Sequence, residues 1–464
     1  MAKSAPHSDS ELRKIPGVDT LLVLARDRGI FRHEVDAFRV YLVRRTLKKI
    51  RDLVLSGSSC PEEDKILSAL SREIDSFNSS KMRPIINATG IVLHTNLGRA
   101  PLNEDVLEKT IELANGYANL EFNLNTGQRG KRGEWVTNAL AILTGAEKAL
   151  VVNNCAASVF HALTTFASGK EVIISRGELV QIGGGFRIPD ILKASGAILH
   201  EVGTTNITTI ADYSRAINKN TAVILKVHRS NFYLEGHTEE ASLQDLRKLA
   251  DLHEILLFFD LGSGDIVPRP LSLLPDEVKV QDGLIHGAHL VTTSCDKLLG
   301  GPQGGVTFGE KKYIDILANH PLYRVFRPGR LTLASLQEVI QRYLSGESKS
   351  LTSWAMLSLS PEEILARAEK FKERLKTSGI EATIEKGEGA VGGGTLPDDP
   401  IESWLIALKP QDAEVFLTKL RQNETPVIPR ISKDRIFLDL RTVLSKDEDL
   451  LFSAVTTAFA NSTA

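Results

Sequence analysis

Six apolar stretches recur between residues 85 and 344, at 149–153, 171–175, 197–202, 222–228, 255–260 and 289–293, with helical patterns between them. They are rich in Val, Ile, Leu or Phe, with few polar residues inside them, and lack the strict alternation of a half-exposed strand. That composition predicts strands buried on both faces. Buried strands joined by helices predict a parallel sheet with helices on either side. In such sheets ligands sit beyond the carboxyl ends of the strands. The polar and glycine-rich clusters fall there: 153–155, 176–178, 203–206, 228–231, 260–264 and 294–297.

The last of these ends, Ser294-Cys295-Asp296-Lys297, runs into a glycine-rich turn that continues to Gly305. A lysine just past a strand end, with a hydroxyl three residues before it, can hold an aldehyde cofactor as a Schiff base. Ser294 then helps to grip the cofactor phosphate. Asp260 closes another strand, placed so that its carboxylate can pair with a pyridinium nitrogen and keep the ring an electron sink. The same residue is also good turn chemistry. Asn154 and Cys155 follow a strand and open an apolar helix. Its free N–H groups and dipole favour a phosphate, while Asn154 can also cap the helix in the ordinary way. His228, at a further strand end, reads as a supporting histidine and is grouped with the cofactor contacts. Cys155 and Cys295 flank the same region, but neither lies on a mobile loop suited to a nucleophilic cysteine.

Arginines cluster on three predicted loops: Arg99, then Arg129 and Arg132, then Arg324 and Arg327. Guanidinium forks grip phosphate-like oxyanions bidentately, so these are candidate substrate contacts, with Arg99, Arg132, Arg324 and Arg327 foremost.

The flanks differ from this core. Residues 1–80 read as helical. In 31–56, Val35, Phe38, Leu42, Leu47, Ile50 and Leu53 form an apolar stripe, and Arg39, Arg44, Arg45, Lys48, Lys49 and Arg51 fill the other faces. Such a run is a solvated surface or a nucleic-acid contact. Residues 78–81 read as a linker. Beyond residue 349 a helix at 361–378, a glycine-rich loop at 387–394 and strands at 404–408 and 435–440 predict a smaller α+β domain. The divisions are therefore 1–80, 85–345 and 346–464. The 56 basic and 58 acidic residues give a net charge of −2, so a nucleic-acid partner would need a local patch. Three scattered cysteines exclude a disulfide framework and a zinc site, and no metal is expected. Without an apolar leader or a membrane-length apolar run, the expected location is the cytoplasm.

Ordered motifs along nearly the whole chain resemble bacterial selenocysteine synthases, the L-seryl-tRNA(Sec) selenium transferases. They are LRKIPGVDTLL (12–22), INATGIVLHTNLGRAPL (86–102), LTGAEKALVVNN (143–154), SRGELVQIGGGFRIPDIL (175–192), EVGTTN (201–206), DLGSG (260–264), CDKLLGGPQ (295–303), LTLASL (331–336), VGGGTLP (391–397) and FLDLRTVL (437–444). The resemblance implies a fold-type-I pyridoxal-enzyme core, with Lys297 holding pyridoxal 5'-phosphate and serving as the Cα base. It implies conversion of seryl-tRNA(Sec) to selenocysteinyl-tRNA(Sec) through an aminoacrylate, with selenophosphate as donor. Arg99, Arg324 and Arg327 would hold that donor and Asp296 would assist. Arg39, Arg44, Arg45 and Lys48 would meet the tRNA. Dimers would carry sites at their interfaces and assemble as a ring, a homodecamer. The alternative on the same fold is a pyridoxal-dependent lyase acting on a small amino acid or amino-sugar acid. Four places depart from the family pattern: Ile207 for arginine, Arg229 for a small hydroxyl residue, Cys295 for glycine, and 328–330 for a short polar link.

Overall fold

The computed structural model describes residues 6–460 apart from 32–33, 183–184, 233, 268–273, 275–276 and 396–399. Parts of the motifs 175–192 and 391–397 therefore lie outside the described residues. The chain forms two compact units, Met1–Pro84 and Ile85–Ala464.

The first unit consists of helices Pro6–Leu12, Val18–Asp27, Asp36–Leu55 and Glu63–Ser79. They close on Leu21, Leu42, Val43, Leu47, Ile50, Leu67, Leu70 and Ile74. The buried stripe of the third helix is rotated from the one predicted. It takes in Val43 and Val54, while Val35 and Leu53 stay 70% and 45% exposed. Val35 caps the helix rather than lying within it, so it cannot share the helical face. Half of the predicted linker is helix, because the fourth helix runs on through Ser79.

A seven-stranded sheet lies at the centre of the second unit. Its spatial order is Lys148–Val152, Gly305–Gly309, Leu290–Ser294, Leu256–Gly262, Thr221–Val227, Glu171–Ser175 and Ile198–Val202. All six predicted strands are present and parallel, but Ile198–Val202 is not buried on both faces as expected, because it lies at the sheet edge with Ile198 52% exposed. Gly305–Gly309, read from sequence as the end of a turn, is a seventh strand antiparallel to both neighbours. Side chains alternate between two covered faces. Phe258 packs with Val159 and Leu163 of the helix Cys155–Ala167, whereas Leu257 packs with Leu246 and Leu249 of the helix Leu243–Leu252. No helix among the described residues is long and apolar enough to cross a membrane.

A second sheet of five strands has the order Ile86–Ala88, Val427–Ser432, Arg435–Asp439, Pro400–Leu408 and Ala382–Ala390. Its core of Phe371, Leu375, Phe416, Leu438 and Leu451 is supplied partly by the helices Pro361–Thr377, Ala413–Gln422 and Glu448–Ala460. Ser360 and Glu363 form a capping box at the start of the first of these. The predicted glycine loop is half strand. Residues 387–390 pair with 400–403, and a Cβ at Gly387 would meet Leu405 Cδ1 at 2.4 Å. Glycine at this position makes room for a packed leucine, and only 391–394 turn.

Candidate active site

The strand ends converge on a cleft of about 320 Å³ lined by Asn154, Cys155, His228, Asp260, Ser294 and Lys297, with Arg99 and Asp296 at its side. Lys297 follows the strand Leu290–Ser294 on a turn fixed through its backbone. The Cys295 N–H donates to the Gly304 carbonyl at 2.9 Å, the Gly300 N–H to the Lys297 carbonyl at 2.9 Å, and the Leu298 N–H to the Ser263 carbonyl at 3.1 Å. Lys297 is 4% exposed, and its Nζ donates to the Gly394 carbonyl at 3.1 Å. Burial disfavours the ammonium and lowers its pKa, with neighbouring anions resisting the shift. Asp260 is buried beside it. Desolvation pushes its carboxyl up to about 6, against the pull of Lys297. Gly394, at a φ of +91°, gives the amine its room, because a Cβ there would stand 2.3 Å from Lys297 Nζ.

Asn154 caps the helix Cys155–Ala167, its side chain accepting from the Ala157 N–H at 2.8 Å. Cys155 Sγ lies 3.8 Å from Asp260 Oδ1, and burial pushes its thiol up to about 12. Burial raises Cys295 well above the thiol range too. Burial thus favours the protonated form of both thiols at neutral pH, which speaks against a nucleophilic cysteine. The His228 N–H donates to the Asp260 carbonyl at 2.9 Å. Its Nε2 is buried without a partner among the described residues, and burial brings the imidazole down to about 4. A neutral ring therefore faces the cleft. Arg99 Nη1 reaches both carboxylate oxygens of Asp296, at 3.3 and 3.1 Å.

These residues fit pyridoxal 5'-phosphate. A buried amine biased toward neutrality, a carboxyl, an unpartnered imidazole nitrogen and a capped helix start share one cleft. Lys297, Asp260, Asn154, Cys155, Ser294 and His228 are brought together, with Arg99 and Asp296. Arg132, Arg324 and Arg327 are not. Within one chain they line a second cleft, around Glu121, that shares no residue with the first. Arg324 sits on the short helix Pro321–Phe326 and makes no ion pair among the described residues.

In the N-terminal unit, Arg39 pairs with Asp36 at 3.3 Å and Arg45 with Glu73 at 2.9 Å, and Lys49 also reaches Glu73. Arg44 and Lys48 are exposed and make no ion pair among the described residues. Two departures from the family pattern have local accounts. Arg229 pairs with Glu240 at 3.3 Å, and Cys295 is wholly buried under the turn. The sequence reading missed three elements of these sites. The Gly394 carbonyl carries no residue signature. Glu121 looks like any loop glutamate. Glu178, which accepts from Lys226 Nζ at 2.6 Å and the Val227 N–H at 2.9 Å, falls in a cluster noted only for its polarity.

Comparison with known proteins agrees with this geometry. The curated L-seryl-tRNA(Sec) selenium transferase of Aquifex aeolicus is 40% identical over 94% of this chain and 96% of its own. That of Carboxydothermus hydrogenoformans is 41% identical over the same shares. Among solved structures, D-glucosaminate-6-phosphate ammonia-lyase aligns with a TM-score of 0.57 at 18% identity, over 84% of this chain and 99% of that one. At that identity the likeness speaks for the fold alone, and it agrees with the fold-type-I architecture expected from the sequence. The family model for L-seryl-tRNA selenium transferase (SelA) matches residues 85–444. With that match and 40% identity along nearly its whole length, the chain belongs to the L-seryl-tRNA selenium transferase family.

Proposed function

We propose that this enzyme converts seryl-tRNA(Sec) to selenocysteinyl-tRNA(Sec), with pyridoxal 5'-phosphate as cofactor and selenophosphate as donor. The observation that carries the reading is the buried Lys297 amine sharing a cleft with the Asp260 carboxyl. When bound, the cofactor supplies an electron sink that acidifies the substrate Cα–H and lets a β-substituent leave. Lys297 would hold it, Asp260 would face its ring nitrogen, and Ser294 with the helix start at Asn154 and Cys155 would take its phosphate. The Lys297 amine, biased toward its neutral form by burial, is the base for the Cα proton. Asp296, fixed by Arg99, stands beside it. In the overall reaction the serine hydroxyl leaves as water, selenium joins Cβ, and water cleaves the P–Se bond to release phosphate.

Arg99, Arg324 and Arg327 are the contacts for the donor oxyanion. Because Arg324 and Arg327 line a cleft that shares no residue with that of Lys297 within one chain, a second copy would supply them. This supports sites shared between copies; the ring of ten, built from such dimers, rests on the family resemblance alone. Residues 1–80 would dock the tRNA, with Arg44 and Lys48 the most available cations and Arg39 and Arg45 beside them. Residues 85–345 carry the cofactor and 346–464 the smaller α+β layer. The cytoplasm, where charged tRNA is found, is the matching location. Identity that extends through the N-terminal helices favours this reading over a lyase for a small amino acid or amino-sugar acid.

The test is turnover of purified enzyme with seryl-tRNA(Sec) and radiolabelled selenophosphate. Label should appear in the aminoacyl group of the tRNA. Unlabelled tRNA, together with ammonia release from free amino acids or amino-sugar acids, would install the lyase in its place.

A further inference from the structure

The second cleft holds a carboxylate for which the reaction has no use. Glu121 Oε1 accepts from Arg132 Nη1 at 2.8 Å and from Arg327 Nη1 at 3.2 Å, and Oε2 accepts from Arg129 Nη2 at 3.0 Å. Arg132 has a second bond, with its Nε donating to the Pro328 carbonyl at 3.0 Å. It thus grips both the backbone beside Arg327 and the carboxylate that holds the Arg327 side chain. A third anchor lies one residue earlier, where the Phe326 carbonyl accepts from the Asn153 N–H at 2.8 Å. The Arg132 side chain is 16% exposed and that of Arg129 77%, so the first pair is a strut and the second a solvated surface contact.

A guanidinium offers five N–H donors in a rigid fork. Arg132 spends Nε and Nη1 on protein. Arg327 spends only Nη1, and its Nε and Nη2 have no partner among the described residues. One edge of Arg327 is tethered and the other is left for a ligand. We infer that Glu121 and Arg132 are positioning residues that hold the free edge of Arg327 toward an oxyanion, and are not themselves ligands of the donor. The inference rests on the assignment of Arg324 and Arg327 to the selenium donor.

Steady-state kinetics of the full-length holoenzyme test it, with selenophosphate varied at saturating seryl-tRNA(Sec). Loss of one tether to a charged group should raise the KM for selenophosphate about tenfold in Glu121→Ala. The kcat, the KM for tRNA and the visible absorption of the cofactor should stay unchanged. Glu121→Gln, which keeps the shape and one acceptor, should recover part of the loss, and it carries the test if the alanine variant does not fold. In an Arg327→Ala background, Glu121→Ala should add nothing, because its effect passes through Arg327. A lowered KM in Glu121→Ala would make the carboxylate a competitor of the donor and overturn the inference. So would additive effects in the double variant, or a fall in kcat and cofactor absorption with KM unchanged. An Arg327→Ala enzyme with unaltered KM for selenophosphate would instead overturn the donor-site assignment beneath it.

Discussion

Around Lys297, burial drives ionisable groups toward their neutral forms: the amine down, the Asp260 carboxyl up to about 6, the His228 imidazole down to about 4. Around Glu121 the opposite holds. Arg132, the strongest influence, keeps that carboxyl below its ordinary range, and Arg129 and Arg327 add to the effect. The contrast follows from solvent. A group stripped of water costs least uncharged, whereas a half-exposed carboxylate among guanidinium groups keeps its charge. Proton transfer near neutral pH needs the first environment, and holding an oxyanion needs the second. With the roles proposed above, the two clefts would divide these tasks.

Lys297→Ala should break the first cleft most severely. The variant loses a base and the cofactor's covalent anchor together, so turnover should fall by more than about 10⁴-fold. Borohydride reduction of the wild type followed by peptide mapping should place the pyridoxyl label on Lys297, and a label on another lysine would dissolve the first cleft as the catalytic one. Asp260→Asn comes next, with a loss of about a hundredfold in kcat, on the scale of acid–base contributions, and an intact fold. Unchanged turnover would reduce Asp260 to a turn residue.

For the second cleft, Arg324→Ala should cost roughly 2–3 kcal/mol in kcat/KM for selenophosphate if a charge-assisted bond is lost, and leave cofactor absorption untouched. Loss of cofactor from that variant would erase the division between the clefts. The smallest effects concern stability against pH, where the clefts should differ in sign. Folded Asp260 holds its proton to about pH 6 against an ordinary value of 3.8, so its contribution is most favourable below that range and falls as pH rises through it. Glu121 is depressed below 4.5, so its contribution is present above that value and fades as pH falls. Melting curves of cofactor-free Asp260→Asn and Glu121→Gln, each against wild type across pH 3.5–7, separate the two. Relative to wild type, the first variant should gain as pH rises and the second should lose. Trends of the same sign would end the comparison.

The first cleft was more legible in the sequence than the second. Strands buried on both faces leave long apolar runs, and the polar residues that end them mark a ligand site. Lys297, Asp260 and Asn154 could be named on that basis. The strand Gly305–Gly309 could not, because five residues flanked by glycine carry little pattern, and Gly305 is demanded by the Asn154 carbonyl, 2.3 Å from where a Cβ would stand. The arginines stood out as loop cations, but their partition between clefts depends on Glu121, whose partners lie 8, 11 and 206 residues along the chain. The helical stripe of residues 31–56 was misphased for a simpler reason. Apolar residues occupy more than one face of that helix, and only packing decides which face is buried.

The short strand Ile86–Ala88 carries a consequence for how the molecule is made. It lies early in the chain yet pairs with Val427, Ile428 and Pro429, and the segment that follows leads to Arg99. A nascent chain can therefore complete the helices Val18–Asp27 to Glu63–Ser79 and then the strands of the larger sheet while still on the ribosome. It cannot seat Ile86–Ala88 until Val427–Ser432 has emerged. The entropy of closing so long a loop grows only with the logarithm of its length, so the delay is one of order rather than of stability. The strand is thus synthesised long before its partner, although Arg99 beyond it can pair with Asp296 as soon as that residue has emerged. A chain cut short before residue 427 would carry Lys297, Asp260 and the Arg99–Asp296 pair and still lack the partner of Ile86–Ala88.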